Sequence, residues 1–122
     1  MDTLPQNIHA ILHYGKSHQG IVGAKVKATG KNPSNPAWIA VKPIKGINNN
    51  GFEILKNFEV EYLELQEDYN EEDHGWDYDY FLVKKEIYYN LKTEEELIKL
   101  LKKWVNDFNN LKHITDIEHP YL

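Results

Sequence analysis

Apolar and polar residues alternate through most of the first half of the chain. In "NIHAILHYG" (7–15), Ile8, Ala10, Leu12 and Tyr14 fall on one parity, and His9, Ile11 and His13 on the other. Side chains two apart on a strand share a face, so this spacing predicts a first strand. "IVGAKVKATG" (21–30) alternates more cleanly, with Val22, Ala24, Val26 and Ala28 opposite Lys25 and Lys27. It predicts a half-buried strand with a wet lysine side. "GKSHQG" between the two reads as a hairpin loop, and "GKNPSNP" (30–36) as a loop by composition. "AWIAVKPIKGI" (37–47) reads as a third strand. Pro43 has no N–H to give a ladder, so that strand lies at an edge or ends near it.

"NNNG" (48–51) is the strongest short turn signal in the chain. Beyond it, "FEILKNFEVEYLEL" (52–65) puts Phe58, Val60 and Tyr62 on one parity and Leu63 and Leu65 on the other. A bulge near Tyr62 would reconcile the two sets; a helix over part of 52–65 is the competing reading. "WDYDYFLVKKEIYY" (76–89) reads as another strand, with Trp76, Tyr78, Tyr80 and Leu82 on one face. Whether those aromatics face the core or a partner stays open.

The period then changes. Thr93 suits an N-cap, and Glu96 three residues on completes a capping box. Glu94, Glu95 and Glu96 sit at the positive end of the helix dipole, with Lys99, Lys102 and Lys103 later. Leu97, Leu100, Leu101, Trp104, Val105 and Phe108 form an apolar stripe that a sheet must cover. The expected architecture is α+β, a single domain over residues 1–122. An antiparallel sheet of four to six strands carries one long C-terminal helix packed on one face.

Composition narrows the function. A chain of 122 residues with 41% hydrophobic content supports one modest core. With no cysteine, neither a disulfide framework nor a thiolate metal site can form. No apolar run approaches a membrane span, and "MDTLPQNIHAILHYGK" has no basic segment followed by an apolar core, so the expected location is the cytoplasm. The net charge of −5 is unevenly spread: residues 1–50 carry six lysines and one acid, residues 51–122 eight lysines and eighteen acids. Every basic residue is lysine. Without arginine, and with an acidic balance, direct nucleic-acid binding is not expected.

Catalytic chemistry finds little footing. Serine occurs only at Ser17 and Ser34, and "GKS" (15–17) lacks the earlier glycine and following helix of a phosphate loop. On a strand, His9 and His13 stand about 13 Å apart, too far to share a metal; on a helix they would be in reach. Counted from Asp68, an EF-hand would need glycine where Asp73 stands and glutamate where Asp79 stands. No catalytic residue, metal or cofactor is expected.

The densest chemical feature is "EDYNEEDHGWDYDY" (67–80), with seven acids and four aromatics and no lysine. Carboxylates interleaved with flat rings imitate a nucleic-acid strand and suit the positive groove of a protein that binds one. Glu67, Asp68, Glu71, Glu72, Asp73, Asp77 and Asp79 are the candidate partners for lysine or arginine across an interface, with Tyr69, Trp76 and Tyr78 as its packed centre. In this stretch, its sheet and its capped "TEEELIKLLKKWVNDF" helix, the chain resembles the small cytoplasmic immunity proteins of bacterial toxin–immunity systems. Those of contact-dependent growth inhibition are included. The likeness is one of style across most of the chain, with no shared motif. It implies a cognate partner, a basic secreted toxin domain, often a nuclease, neutralised in a tight one-to-one complex. Two alternatives share parts of the pattern: a phage nucleic-acid mimic of the anti-restriction or anti-CRISPR kind, and a small hydrolase or nuclease using the histidines. A third is an oligomerising module that sets the acidic half against the lysine half of a neighbour.

Overall fold

The computed structural model describes residues 3–14, 20–69 and 78–117, apart from the side chains of 78, 79 and 115. Along the chain run α1 (Gln6–Tyr14), β1 (Val22–Lys27), β2 (Pro36–Ile47), β3 (Glu53–Leu65), β4 (Leu82–Leu91), α2 (Glu94–Leu101) and β5 (Lys112–His113). The strands form one antiparallel sheet in the order β4-β3-β2-β1-β5. The α+β class agrees with the expectation, and five strands fall within the expected four to six, with β5 standing in for the strand expected at 7–15. The helices do not agree with the expectation of a single long C-terminal one.

The first correction is at the start. Residues 6–14 form a helix, not a strand. Leu4, Ile8 and Leu12 recur every four residues and are buried, whereas Tyr14, on the same strand parity, is exposed. Spacings of four fit both periods, which is why the segment reads either way. Pro5, just ahead of α1, has no N–H to leave unpaired, and its carbonyl accepts from His9 N–H at 2.9 Å. The expected hairpin loop after it therefore joins a helix to a strand, and 15–19 lie outside the described residues.

β2 and β3 form a long hairpin around Asn48–Gly51, as the turn signal implies. The Asn48 side chain accepts from the N–H groups of Asn50 and Phe52, and Gly51 takes φ +82°, where an L side chain is strained. Pro43 lies within β2, but β1 pairs only as far as Val41, so Pro43 has a strand neighbour on one side alone. The segment 52–65 is strand, not helix, and has no irregularity at Tyr62. Its register shifts fall beside Lys45 against β2, and near Phe58 and Leu65 against β4. The two parities of β3 need no bulge at Tyr62, because residues on both are buried over Val60–Leu65. Phe58, Val60 and Tyr62 join Ile8, Leu12, Ile39, Leu97 and Leu101 in the main core. Leu63 and Leu65 join Trp38 and Phe81 in a smaller cluster on the other face. Ile21, Ala40 and Ile114 extend that second face. Gly23 permits the approach, since a Cβ there would lie 2.4 Å from the Ile39 carbonyl and 2.9 Å from Ile117.

β4 begins at Leu82, later than expected; Tyr78–Phe81 is a short 3-10 turn. α2 is capped as its sequence requires: Thr93 Oγ1 accepts from Glu96 N–H at 3.1 Å. It is only eight residues long. The Leu101 carbonyl accepts from both Trp104 and Val105, which tightens the last turn. The "NDFNN" run (106–110) then takes over. Asp107 caps a new 3-10 turn through Asn109 N–H at 3.0 Å, because short polar side chains offer the backbone an alternative to helix.

Candidate functional site

The acidic segment leaves the sheet at the end of β3 and returns to it at the start of β4. Its mouth is closed by Gln66 N–H donating to the Phe81 carbonyl at 2.8 Å, next to the Leu65–Leu82 pair. Glu67 and Asp68 form an exposed turn there, and neither makes an ion pair among the described residues. Tyr69 folds inward instead. It is half-buried, its ring meets Phe81 edge-on at 5.6 Å, and it packs on the Trp38–Leu63 cluster. Glu71, Glu72, Asp73, Trp76 and Asp77 lie outside the described residues. Tyr78 and Asp79 are placed by backbone only, in the 3-10 turn.

Apolar surface adjoins this mouth. Tyr80 is 84% exposed and Val83 49%, with Leu82 between them on a strand that ends the sheet. Tyr80 is thus a surface residue, not core. Farther along, Lys84 pairs with Glu86 at 3.1 Å. Glu86 is held below the ordinary carboxylate range by Lys84 and then by the Tyr88 hydroxyl, and the same pairing raises Lys84.

Not every acid of the region is available. Glu64 is 1% exposed and Glu61 3%. Glu64 accepts from Tyr62 O–H at 2.7 Å and from Asn35 Nδ2 at 2.8 Å. Glu61 lies between Lys42 at 3.4 Å and Lys85 at 3.8 Å. Tyr62 itself is core, and burial raises its ionisation above the ordinary value. Glu61 and Glu64 therefore do not belong to the free anionic surface.

A second constellation was hidden by reading α1 as a strand. On the helix, His9 and His13 stand one turn apart, with their rings stacked at 4.0 Å. Both point at one oxygen of Glu94, the first residue of α2: His9 Nδ1 at 2.8 Å and His13 Nε2 at 3.3 Å. One ligand atom from each of the three lies within 4.8 Å of the others. The i, i+4 spacing was visible in the sequence. Glu94, 81 residues from His13, carried no local signal.

No protein-family model, curated protein or solved structure matches the chain. Among the described residues, no helix is long and apolar enough to cross a membrane.

Proposed function

We propose that the protein is a binding inhibitor of the immunity type, which neutralises a basic toxin domain by covering its active site. The observation that carries this reading is the mouth of the acidic segment. Glu67 and Asp68 stand exposed with no ion pair among the described residues, just past the Leu65–Leu82 pair and near the β4 start, where Tyr80, Leu82 and Val83 present apolar surface. Carboxylates beside an exposed aromatic and aliphatic patch suit a partner that is both positive and grooved. Glu71, Glu72, Asp73, Asp77 and Asp79 add to the negative field by sequence, and Trp76 and Tyr78 supply further rings. Tyr69, half-buried against Phe81, would offer only the exposed part of its ring to such a partner.

The sheet edge itself is a weaker docking element. Lys84 and Lys85 lie on it, and lysines on an edge strand discourage pairing with another chain. Recognition therefore runs through side chains of the loop, not through an added strand. The compartment that fits is the cytoplasm of a bacterium that makes the toxin, and the protein performs no catalysis.

The test is protection. Cells expressing the toxin domain encoded beside this gene should survive with the wild-type chain and die with Glu67→Lys/Asp68→Lys. His9→Ala should protect as well as wild type. Loss of protection in His9→Ala with a normal fold would favour the hydrolase alternative instead.

A further inference from the structure

We propose that His9 Nδ1, His13 Nε2 and a Glu94 carboxylate oxygen are three ligands of a divalent metal of the zinc class. The fourth position is open to the groove beside α2. The argument begins with geometry. Zinc holds nitrogen and oxygen ligands at about 2.0–2.1 Å, so neighbouring corners of its tetrahedron lie about 3.3 Å apart. His13 Nε2 and Glu94 Oε2 stand at 3.3 Å, and His9 Nδ1 and Glu94 Oε2 at 2.8 Å. One nitrogen of each ring and a Glu94 oxygen all lie within 4.8 Å of one another. Modest side-chain rotation closes the set.

Position and charge agree with this. His13 is fixed from behind by Phe58, edge-on at 6.1 Å, so its ring rests against the core. Both rings direct a nitrogen at the same Glu94 oxygen. With both rings neutral and their protons on the far nitrogens, the same three atoms offer lone pairs to one cation. Glu95 and Glu96 follow in the same helical turn and offset its positive end. The groove that reaches His9 and Glu94 is lined also by Leu4, Glu95, Ile98 and Lys99, which leaves room for water at the fourth position. Two imidazoles and a carboxylate select zinc, cobalt or nickel over magnesium and calcium. Bound metal would clip α1 to the start of α2, closing a loop of about eighty residues and stabilising the fold by linkage.

The experiment uses tag-free, chelator-stripped protein titrated with ZnCl2 in a calorimeter. The expected result is a single ion per chain, a melting temperature that rises with zinc, visible tetrahedral bands with cobalt, and no response to magnesium or calcium. H13A and E94Q should each weaken zinc by at least about tenfold, the scale of losses seen when a site's supporting shell is removed. H113A should bind as wild type. All variants are first melted in chelator, where the cluster contributes only its hydrogen bonds. Absence of zinc uptake by wild type overturns the proposal whatever the variants do. Uptake unchanged in H13A and E94Q overturns it equally.

Discussion

Tyr62 ties the main core to the loop before β2, and removing its hydroxyl isolates that tie. In Tyr62→Phe the ring keeps its volume and its stack on Trp104 at 5.6 Å, so no cavity opens. Two hydrogen bonds are lost. One is the Tyr62 O–H bond to the buried Glu64 carboxyl at 2.7 Å; the other is Thr29 N–H to the Tyr62 oxygen at 3.0 Å. A hydrogen bond to a charged group contributes roughly 1.5–3 kcal/mol and a neutral one about 1 kcal/mol. The substitution should therefore destabilise by about 3 kcal/mol, a large part of the ~5–15 kcal/mol typical of a domain. For a chain of this size that corresponds to roughly 10–15 °C in Tm. Urea unfolding followed by tryptophan fluorescence reads it, with an unchanged m-value showing that the unfolded state is unaffected. Combined with Glu64→Gln, the losses should fall short of their sum by at least about 1 kcal/mol, because both remove the same bond. A loss below about 1 kcal/mol in Tyr62→Phe would refute the claim that this buried network holds the loop.

The same tyrosine sets an alkaline limit. Its folded value lies above the ordinary 10.0, so its contribution is complete below that pH and is lost as pH rises past it; Tyr62→Phe should show a shallower alkaline decline. Glu86 works in the opposite direction. Its folded value lies below the ordinary 4.5, so the Lys84 contact favours the fold above that pH and is lost as pH falls through the folded value. Carboxyl NMR titration should show Glu86 moving up toward the ordinary value in Lys84→Gln. Thr93→Ala removes the acceptor for Glu96 N–H and should destabilise by about 1 kcal/mol in chemical denaturation, whereas Thr93→Ser should be close to neutral.

How much of this was legible varies with the range of the interaction. β1 alternates cleanly because one face meets the core and the other carries Lys25 and Lys27. The turn at Asn48–Gly51 and the cap at Thr93 are local chemistry and stand as read, while the Glu96 carboxylate of the expected capping box accepts from Lys92 N–H at 3.2 Å. α1 was misread because Ile8 and Leu12 satisfy either period, and only tertiary contact decides between them. α2 ends at Leu101, inside the apolar stripe that runs on to Phe108 and ahead of "NDFNN", so the stripe overstates its length. β3 looked irregular because both of its parities are buried over Val60–Leu65, so no polar parity marks the register there. Glu61 and Glu64 look like surface acids in sequence; Lys42, Lys85 and Asn35 reach them from elsewhere in the fold, and Tyr62 from two residues away on β3 itself. The histidine cluster needed both the helix and a residue from the far end of the chain.

The anionic mouth at Glu67 and Asp68 is the feature from which the inhibitor reading follows, and association kinetics probe it most directly. The purified chain is mixed with a catalytically inactivated form of the basic toxin domain that the proposal expects as its partner, and the association rate is measured across a series of salt concentrations. The account predicts fast binding that slows steeply with salt. Glu67→Lys/Asp68→Lys should slow association by about tenfold or more at low salt and flatten the salt dependence, with an unchanged Tm. An association rate indifferent to both salt and charge reversal would contradict it.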